Sequence, residues 1–189
     1  MQAYVDCVIA AVDKFPEPVI IVGHSMSGAV ISEVANQKPE KVRMLIYLAA
    51  YMPLSGKSTM EVTQPDHESI GSVATEVHGE EGIMTVREEK AKDFLYGDCA
   101  EDDAAWAIAR LVPEPLAPAM TPVGSGAAFE GVRRMYIECL QDKAIGPLAQ
   151  KRMNSDVHFE RVLSMHTSHS PFLAAPKELA DNLDYLTRL

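Results

Sequence analysis

One stretch of ten residues, 19–28, limits what this chain can fold into more than any other. It runs Val-Ile-Ile-Val-Gly-His-Ser-Met-Ser-Gly, and an amphipathic segment, residues 29–37, follows at once. The apolar, mostly β-branched residues predict a buried strand, and the helical periodicity after them predicts a helix. A serine between small residues at a sharp turn from strand to helix is typical of a nucleophile elbow. Ser25 is therefore a candidate nucleophile, and an ordinary strand-to-helix turn is the alternative.

The residues on either side of Ser25 have the sizes that such a turn requires. Read strictly, the pattern G-x-S-x-G begins at Gly23 and has Ser27 in its fifth position, with Gly28 directly after it. A nucleophile elbow strains the backbone of its serine, so bulky residues two positions away would collide across the turn. Because the helix starts just behind Ser25, the backbone amide of Met26 is the predicted oxyanion donor.

Composition narrows the class of protein. A length of 189 residues predicts one domain, and 47% hydrophobic residues supply a substantial core. The net charge of −10 argues against nucleic acid and anionic membranes as partners. We find no stretch long enough to span a bilayer and no signal peptide, so we expect a soluble cytoplasmic protein. The cysteines show neither metal-ligand spacing nor a paired framework, and we expect no metal or cofactor: Cys7, Cys99 and Cys139.

The periodicity of the remaining chain predicts an α/β fold, a parallel sheet flanked by helices. Unbroken apolar runs predict four strands, at residues 19–22, 42–48, 132–140 and 159–165. Helical spacing and proline stops predict helices at residues 1–15, 29–37, 145–153 and 176–189. A strand, a helix and a strand at this spacing form a right-handed parallel crossover.

Residues 52–131 have a different texture and are predicted to form a cap insertion between two parts of the core, 1–51 and 132–189. Proline, glycine and charge are frequent there, and no clean strand is predicted. Helices are predicted at 86–95 and 102–111. A long insertion after a strand is typical of a cap over an active site, and a partly disordered surface loop is the alternative. Five apolar residues are candidates for lining a pocket, although core packing is the commoner role for each: Met52, Met60, Trp106, Leu111 and Met120.

Three polar residues are expected where strands of the sheet end. Ser25 follows the first predicted strand, Asp142 the third and His169 the fourth. Ligand-binding residues of open parallel sheets lie beyond these carboxyl ends, and the order Ser, Asp, His is that of an α/β-hydrolase. A serine needs a base to take its proton, and the base needs an acid to orient it. We therefore predict acyl transfer, in which His169 deprotonates Ser25, Ser25 attacks an ester carbonyl, and Asp142 stabilises the imidazolium before water releases the acid.

Other histidines and acids compete for these roles. His166 is the alternative base, but we favour His169 because it has the loop position. Asp156 is the alternative to Asp142, but it precedes a strand and lies at the wrong end of the sheet. His24 adjoins the nucleophile and is expected to point away from its hydroxyl and to pack beside the site. Three further histidines are expected on the surface or the cap: His67, His78 and His158.

Three motifs of the chain resemble a known family: residues 23–26 (Gly-His-Ser-Met), residues 136–145 (Tyr-Ile-Glu-Cys-Leu-Gln-Asp-Lys-Ala-Ile) and residues 168–172 (Ser-His-Ser-Pro-Phe). Together they look like bacterial members of the plant methylesterase and hydroxynitrile lyase family of α/β-hydrolases. The resemblance covers nearly the whole chain. It implies that the same serine, aspartate and histidine form the catalytic triad, with small carboxylic esters as substrates under an apolar cap.

The chain also departs from this family. Ser27 stands where glycine is more usual, and Ser168 stands where a carboxylate is frequent. The family has strands before the helix at residues 1–15, with a His-Gly loop that supplies the second oxyanion amide, and this N-terminal part of the fold is expected to be missing. The strand at residues 19–22 then has an open edge, whose unpaired backbone groups can pair with a strand of another chain. We expect a second copy of the chain to cover that edge and form a homodimer.

These features lead to one function and two alternatives. The leading function is hydrolysis of small carboxylic esters through an acyl-enzyme on serine. The first alternative is a catalytically impaired protein that binds small aromatic or apolar acids, because losing one oxyanion donor costs about two to three orders of magnitude in rate. The weaker alternative is a hydroxynitrile lyase, since lyases of this family use a lysine beside the catalytic histidine, where this chain has Ser170.

Overall fold

The computed structural model describes residues 1–52, 56–63, 66–124 and 126–189. The strands, in chain order, are β1 Val19–Ser25, β2 Val42–Ala50, β3 Thr75–His78, β4 Ile83–Val86, β5 Glu114–Pro115, β6 Arg133–Cys139 and β7 Arg161–Met165. The helices are α1 Gln2–Val12, α2 Ser27–Gln37, α3 Thr59–Thr63, α4 Gly71–Ala74, α5 Glu88–Leu95, α6 Glu101–Ile108, α7 Leu116–Met120, α8 Ala127–Glu130, α9 Pro147–Asp156, α10 Pro171–Ala174 and α11 Pro176–Thr187.

Strands β1, β2, β6 and β7 form one parallel sheet in the order β1-β2-β6-β7. The register places Ile46 of β2 between Val22 of β1 and Met135 of β6. Helices α1, α2 and α9 pack on one face of this sheet, and α11 packs on the other. The predicted α/β fold, a parallel sheet flanked by helices, is confirmed. All parallel neighbours therefore end at the same edge, where the candidate residues were expected.

Aromatic side chains fill the core on the face of the sheet that carries α2. Tyr47 and Tyr136 lie parallel with ring centroids 6.3 Å apart, and Phe159 packs edge-on against both. The buried hydroxyl of Tyr47 donates to Ser32 Oγ (2.8 Å), which in turn donates to the carbonyl of Gly28 (2.7 Å). Leaving such a buried hydroxyl without a partner costs about 1–3 kcal/mol. These bonds therefore fix the first turn of α2 against β2.

The segment between β2 and β6 contains a second sheet that the sequence pattern does not predict. Strands β3, β4 and β5 form an antiparallel sheet in that order, with Thr75 beside Val86 and Met84 beside Glu114. The expectation that this segment lacks clean strands is wrong. The three strands are only two to four residues long and mix polar with apolar residues, so no apolar run marks them.

Two helices of the same segment lie close to their predicted positions. Helices α5 and α6 occupy Glu88–Leu95 and Glu101–Ile108, one or two residues from the predicted starts. Acidic residues fill the first turn of α6, where carboxylates interact favourably with the helix N-terminus. The cap boundaries at 52 and 131 stay a prediction, and residues 53–55, 64–65 and 125 within them lie outside the described residues.

Strand β1 is one edge of the parallel sheet. Among the described strands it pairs only with β2, and Val22 in its middle is 44% exposed. The predicted homodimer contact would form along this edge, and it stays a prediction. In the described ranges no helix combines the length and the apolar character needed to cross a membrane.

Candidate active site

Ser25 lies at the sharp turn between β1 and α2, and its backbone is strained. Its φ angle is 54°, in the left-handed region that residues other than glycine rarely adopt. Strand β1 extends beyond its predicted end at residue 22, because Gly23 and His24 continue the pairing with β2. Met26 is the N-cap of α2, whose first amides have no partner within the helix. This is the geometry of a nucleophile elbow.

Two glycines allow the close approaches that the elbow needs. A Cβ atom on Gly23 would lie 2.7 Å from Ile31 Cδ1 and 3.0 Å from the carbonyl oxygen of Ser27. A Cβ atom on Gly28 would lie 2.2 Å from the backbone carbonyl oxygen of Tyr51, the residue directly after β2. The fifth position of the strict motif thus accepts the side chain of Ser27, whereas the next position requires glycine.

Asp142 and His169 form a buried hydrogen-bonded pair. His169 Nδ1 lies 2.8 Å from Asp142 Oδ2, and the two side chains are 3% and 0% exposed respectively. Asp142 follows β6 and His169 follows β7, so neighbouring strands bring them together at their carboxyl ends. A carboxylate only accepts, which assigns the donated proton to Nδ1 and leaves the lone pair on Nε2.

The carboxylate of Asp142 is held by three further donors. Asp142 Oδ1 accepts from the amides of Ala144 (2.7 Å) and Ile145 (2.9 Å), and Oδ2 accepts from Gln150 Nε2 (3.2 Å). Gln150 is fully buried, and its Oε1 accepts from the amide of Cys139 at the end of β6 (3.0 Å). The sequence alone does not indicate Gln150, because a glutamine on a helix carries no pattern that marks it as buried.

His24 packs beside the histidine of the pair and holds its backbone. His24 Nε2 donates to the carbonyl oxygen of His169 (2.8 Å), and the two ring centroids lie 4.4 Å apart. Phe172 packs edge-on against the His24 ring at 5.1 Å. Burial, followed by the nearby charge of His169, lowers the pKa of His24 to about 3. His24 is therefore neutral near pH 7 and serves as a donor to the loop that follows β7.

The competing residues lie away from this pair. His166, directly after β7, and Asp156, at the end of α9, are both exposed. His78 contacts Thr85 Oγ1 at 3.0 Å across β3 and β4. Two more histidines are exposed: His67 and His158. The structure thus brings His169 and Asp142 together and leaves their competitors at the surface.

A cavity of about 670 Å³ joins the elbow to the histidine of the pair. Ser25, Met26 and His169 line it from the ends of the parallel strands, and the segment between β2 and β6 supplies most of the remaining wall. Two of the five residues considered for a pocket, Met60 and Leu111, line this cavity. The other three do not line it. Met52 is buried in the core, whereas Trp106 and Met120 are more than half exposed.

The wall of the cavity is mainly apolar and carries two carboxylates. Asp66 and Glu114 line it, and no lysine or arginine does so among the described residues. Burial raises the pKa of the Glu114 carboxyl. Burial, together with the charges of Asp142 and Asp66, raises the pKa of the Tyr51 phenol, so that its hydroxyl stays protonated. The apolar part of the wall comes largely from β3, β4 and α5: Val77, Met84, Val86, Phe94 and Leu95.

Comparison with known proteins decides the family. A family model described as "Alpha/beta hydrolase family" matches residues 1–182. The chain belongs to this family. The fold, the elbow and the order of the three candidate residues agree with that assignment.

The curated relatives of this α/β-hydrolase are longer than the chain. It is 30% identical over 201 aligned residues to "Putative methylesterase 11, chloroplastic" of Arabidopsis thaliana, covering 100% of this chain and 52% of that protein. It is 29% identical over 171 residues to "Pyrethroid hydrolase" of Sphingobium wenxiniae, covering 86% of this chain and 61% of that protein. The chain thus spans about half the length of the curated methylesterases it matches. The predicted resemblance to plant methylesterases is confirmed.

A solved structure agrees with the fold of this α/β-hydrolase. The crystal structure of polyneuridine aldehyde esterase matches it with a TM-score of 0.84 at 20% identity, over 97% of this chain and 78% of that chain. At this identity the likeness concerns the fold alone. The predicted cytoplasmic location stays a prediction, and the chloroplastic names of plant relatives lend it no support.

One departure from the family pattern has a structural counterpart. Ser168 occupies the position where this family often has a carboxylate, and Ser168 Oγ donates to Asp98 Oδ1. Asp98 lies between α5 and α6. A carboxylate from the segment between β2 and β6 therefore lies next to the residue that precedes His169.

Proposed function

We propose that this α/β-hydrolase chain is a serine-dependent carboxylesterase, with Ser25 as nucleophile, His169 as base and Asp142 as the acid that orients the base. The observation that carries the proposal is the meeting, at one cavity, of a strained serine and a buried histidine–aspartate pair. Relatives named methylesterase and pyrethroid hydrolase support ester hydrolysis as the class of reaction.

In the proposed mechanism, His169 Nε2 accepts the hydroxyl proton as Ser25 Oγ attacks the ester carbonyl. The oxyanion accepts a hydrogen bond from the amide of Met26, at the positive end of α2. The intermediate collapses to an acyl-enzyme, and the imidazolium protonates the departing alkoxide. The same histidine then deprotonates a water molecule, which attacks the acyl carbon and releases the acid as Ser25 regains its proton.

The cavity favours small uncharged esters as substrates. Its walls are mainly apolar, and the carboxylates of Asp66 and Glu114 lie on them without a lysine or arginine among the described lining residues. An ester that also carries a free carboxylate would be repelled by these two carboxylates, whereas a methyl or other short neutral ester would not. The same charges would repel the carboxylate product and favour its release. No cofactor takes part in this reaction.

The first test is hydrolysis of p-nitrophenyl acetate and p-nitrophenyl butyrate by the wild type and by the Ser25→Ala variant. We expect the variant to lose the enzymatic rate, by about 10⁴-fold or more where the assay allows, because no acyl-enzyme can form. Ser155→Ala is the matched control, since Ser155 is exposed on α9 and its hydroxyl donates to a backbone carbonyl. Full hydrolysis by Ser25→Ala would exclude the proposed mechanism.

Other outcomes would support the alternative functions. A well-folded wild type that binds small aromatic or apolar acids without hydrolysing esters would be a catalytically impaired member of the family. The amide of Met26 is one oxyanion donor, and the loss of a second costs about two to three orders of magnitude in rate. Release of cyanide from mandelonitrile would support a lyase, although Ser170 stands where lyases of this family use a lysine.

A further inference from the structure

A short segment between β2 and β6 lies against the turn that follows Asp142. This segment, residues 66–70, is called the strap. Asp66 Oδ2 accepts from the amide of Gly146 (2.7 Å), and Glu68 Oε2 accepts from the amide of Leu148 (2.7 Å). Both amides belong to the N-terminal end of α9, where carboxylates bind favourably.

The strap makes two further bonds to the same turn. Ser69 Oγ donates to the carbonyl of Ala144 (2.9 Å), and the amide of Ile70 donates to the carbonyl of Lys143 (3.0 Å). A Cβ atom on Gly146 would lie 2.4 Å from Asp66 Oδ1, so the two segments are in direct contact. The strap is therefore seated on the turn through both side chains and backbone.

Successive backbone amides of this turn donate hydrogen bonds to two different carboxylates. The amides of Ala144 and Ile145 donate to Asp142, and the next amide, that of Gly146, donates to Asp66. The other oxygen of Asp66 accepts from the amides of the strap itself at residues 68 and 69, both at 3.1 Å. Asp66 thus holds the strap and the turn together at the point where the turn holds Asp142.

We propose that Asp66 is a positioning residue, which acts through the Gly146 amide to keep the turn, and with it Asp142, aligned on His169. Its catalytic consequence rests on the esterase function proposed above. Without the Asp66 carboxylate, the amides of Gly146, Glu68 and Ser69 lose their acceptor, so the strap is held less firmly on the turn and the turn can shift. A displacement of about 1 Å at a reacting group costs about 100-fold in rate. The strap also lines the cavity. The bond that holds the strap on the turn therefore also orients Asp142.

The test compares the variants Asp66→Ala and Asp66→Asn in steady-state hydrolysis. We expect kcat to fall by about 10- to 100-fold in Asp66→Ala with little change in KM, because the alignment of the base is lost rather than substrate contacts. Asp66→Asn keeps the shape and one acceptor oxygen, so we expect a smaller loss. Asp156→Asn is the matched control, since this exposed acid lies at the opposite end of α9, and its kcat should equal that of the wild type.

A second readout does not depend on turnover. We expect the proton on His169 Nδ1 to give a far-downfield NMR resonance while it lies in the hydrogen bond to Asp142, and we expect Asp66→Ala to broaden or abolish that resonance. If the wild type hydrolyses no ester but Asp66→Ala still loses this resonance, the esterase function fails and the positioning role stands. An unchanged resonance and an unchanged kcat in Asp66→Ala would overturn the proposal. If Asp66→Ala does not fold, the resonance and kcat of Asp66→Asn are compared with those of the wild type, and two unchanged values would overturn the proposal.

Discussion

At the scale of residues, hydrogen bonds between buried polar groups hold the candidate site in place. Asp142 accepts from four donors, and one of them, Gln150, also bridges back to the end of β6. His24 donates to the backbone of His169 rather than to a side chain. Leaving any of these groups unpaired costs about 1–3 kcal/mol. The residues around the candidate site therefore also contribute to the stability of the fold.

His24 makes that stability depend on pH. Its pKa in the folded chain is about 3, below the 6.5 of an unperturbed histidine. The unfolded chain therefore takes up a proton below pH 6.5 that the folded chain does not, so stability falls as the pH falls from 6.5 towards 3. Between pH 6.5 and 4.5 we expect the free energy of unfolding to fall by about 1–3 kcal/mol more in the wild type than in His24→Gln.

Urea unfolding at the two pH values measures this difference. His166→Gln is the control, because His166 is exposed and lies outside the buried pair. It should keep the pH dependence of the wild type. The same pH dependence in the wild type and in His24→Gln would show that His24 is not the group responsible.

At the scale of elements, the elbow depends on how closely α2 approaches the end of β2. In Gly28→Ala the new methyl group would lie 2.2 Å from the carbonyl oxygen of Tyr51, so the helix or the strand must move. We expect a loss of about 1–3 kcal/mol in unfolding free energy, typical of an overpacked site. Hydrolysis should fall as well, because α2 begins two residues after Ser25 and moves with it.

Gly79→Ala is the matched control for this change. Gly79 lies between β3 and β4, and beyond its neighbours in the chain no described residue lies within 4 Å of the position of its Cβ atom. We expect its unfolding midpoint in urea to stay within experimental error of the wild type. If Gly28→Ala were as stable as Gly79→Ala, the close approach of α2 to β2 would not constrain the elbow.

At the scale of the whole molecule, β1 and β7 are the two edges of the parallel sheet that the described strands form. We predict that two copies of the chain pair along β1, because an exposed strand edge offers free backbone donors and acceptors. Light scattering at micromolar concentration should then give the mass of a dimer. Val22→Lys should convert it to a monomer, since lysine on an edge strand opposes pairing, and Val22 is 44% exposed.

Val162→Lys tests whether the effect is specific to β1. Val162 is 39% exposed on β7, the other edge of the same sheet, and this change should leave the dimer intact. A wild type of monomeric mass would refute the predicted homodimer. A monomer formed by both lysine variants would place the contact elsewhere.

The sequence by itself determined the core strands, the elbow and the three candidate residues. Each is a local property of the chain, since an apolar run marks a buried strand, small residues mark the sharp turn, and polar residues follow strands. Because parallel strands end at one edge, the positions of Asp142 and His169 along the chain already predicted that they would meet. The antiparallel strands β3 to β5 were not predicted, because each is only two to four residues long and mixes polar with apolar residues without a periodic pattern.

Only the tertiary structure decided what surrounds the candidate site. His24 contacts a residue 145 positions away, Asp66 one 80 positions away, and Asp98 one 70 positions away. Such pairs depend on how the segment between β2 and β6 folds back over the sheet, and no local pattern records that. Gln150 is similar, because its burial follows from the packing of α9 against β6 and not from its own neighbours in sequence. Local chemistry selects the candidates, and long-range packing sets their partners.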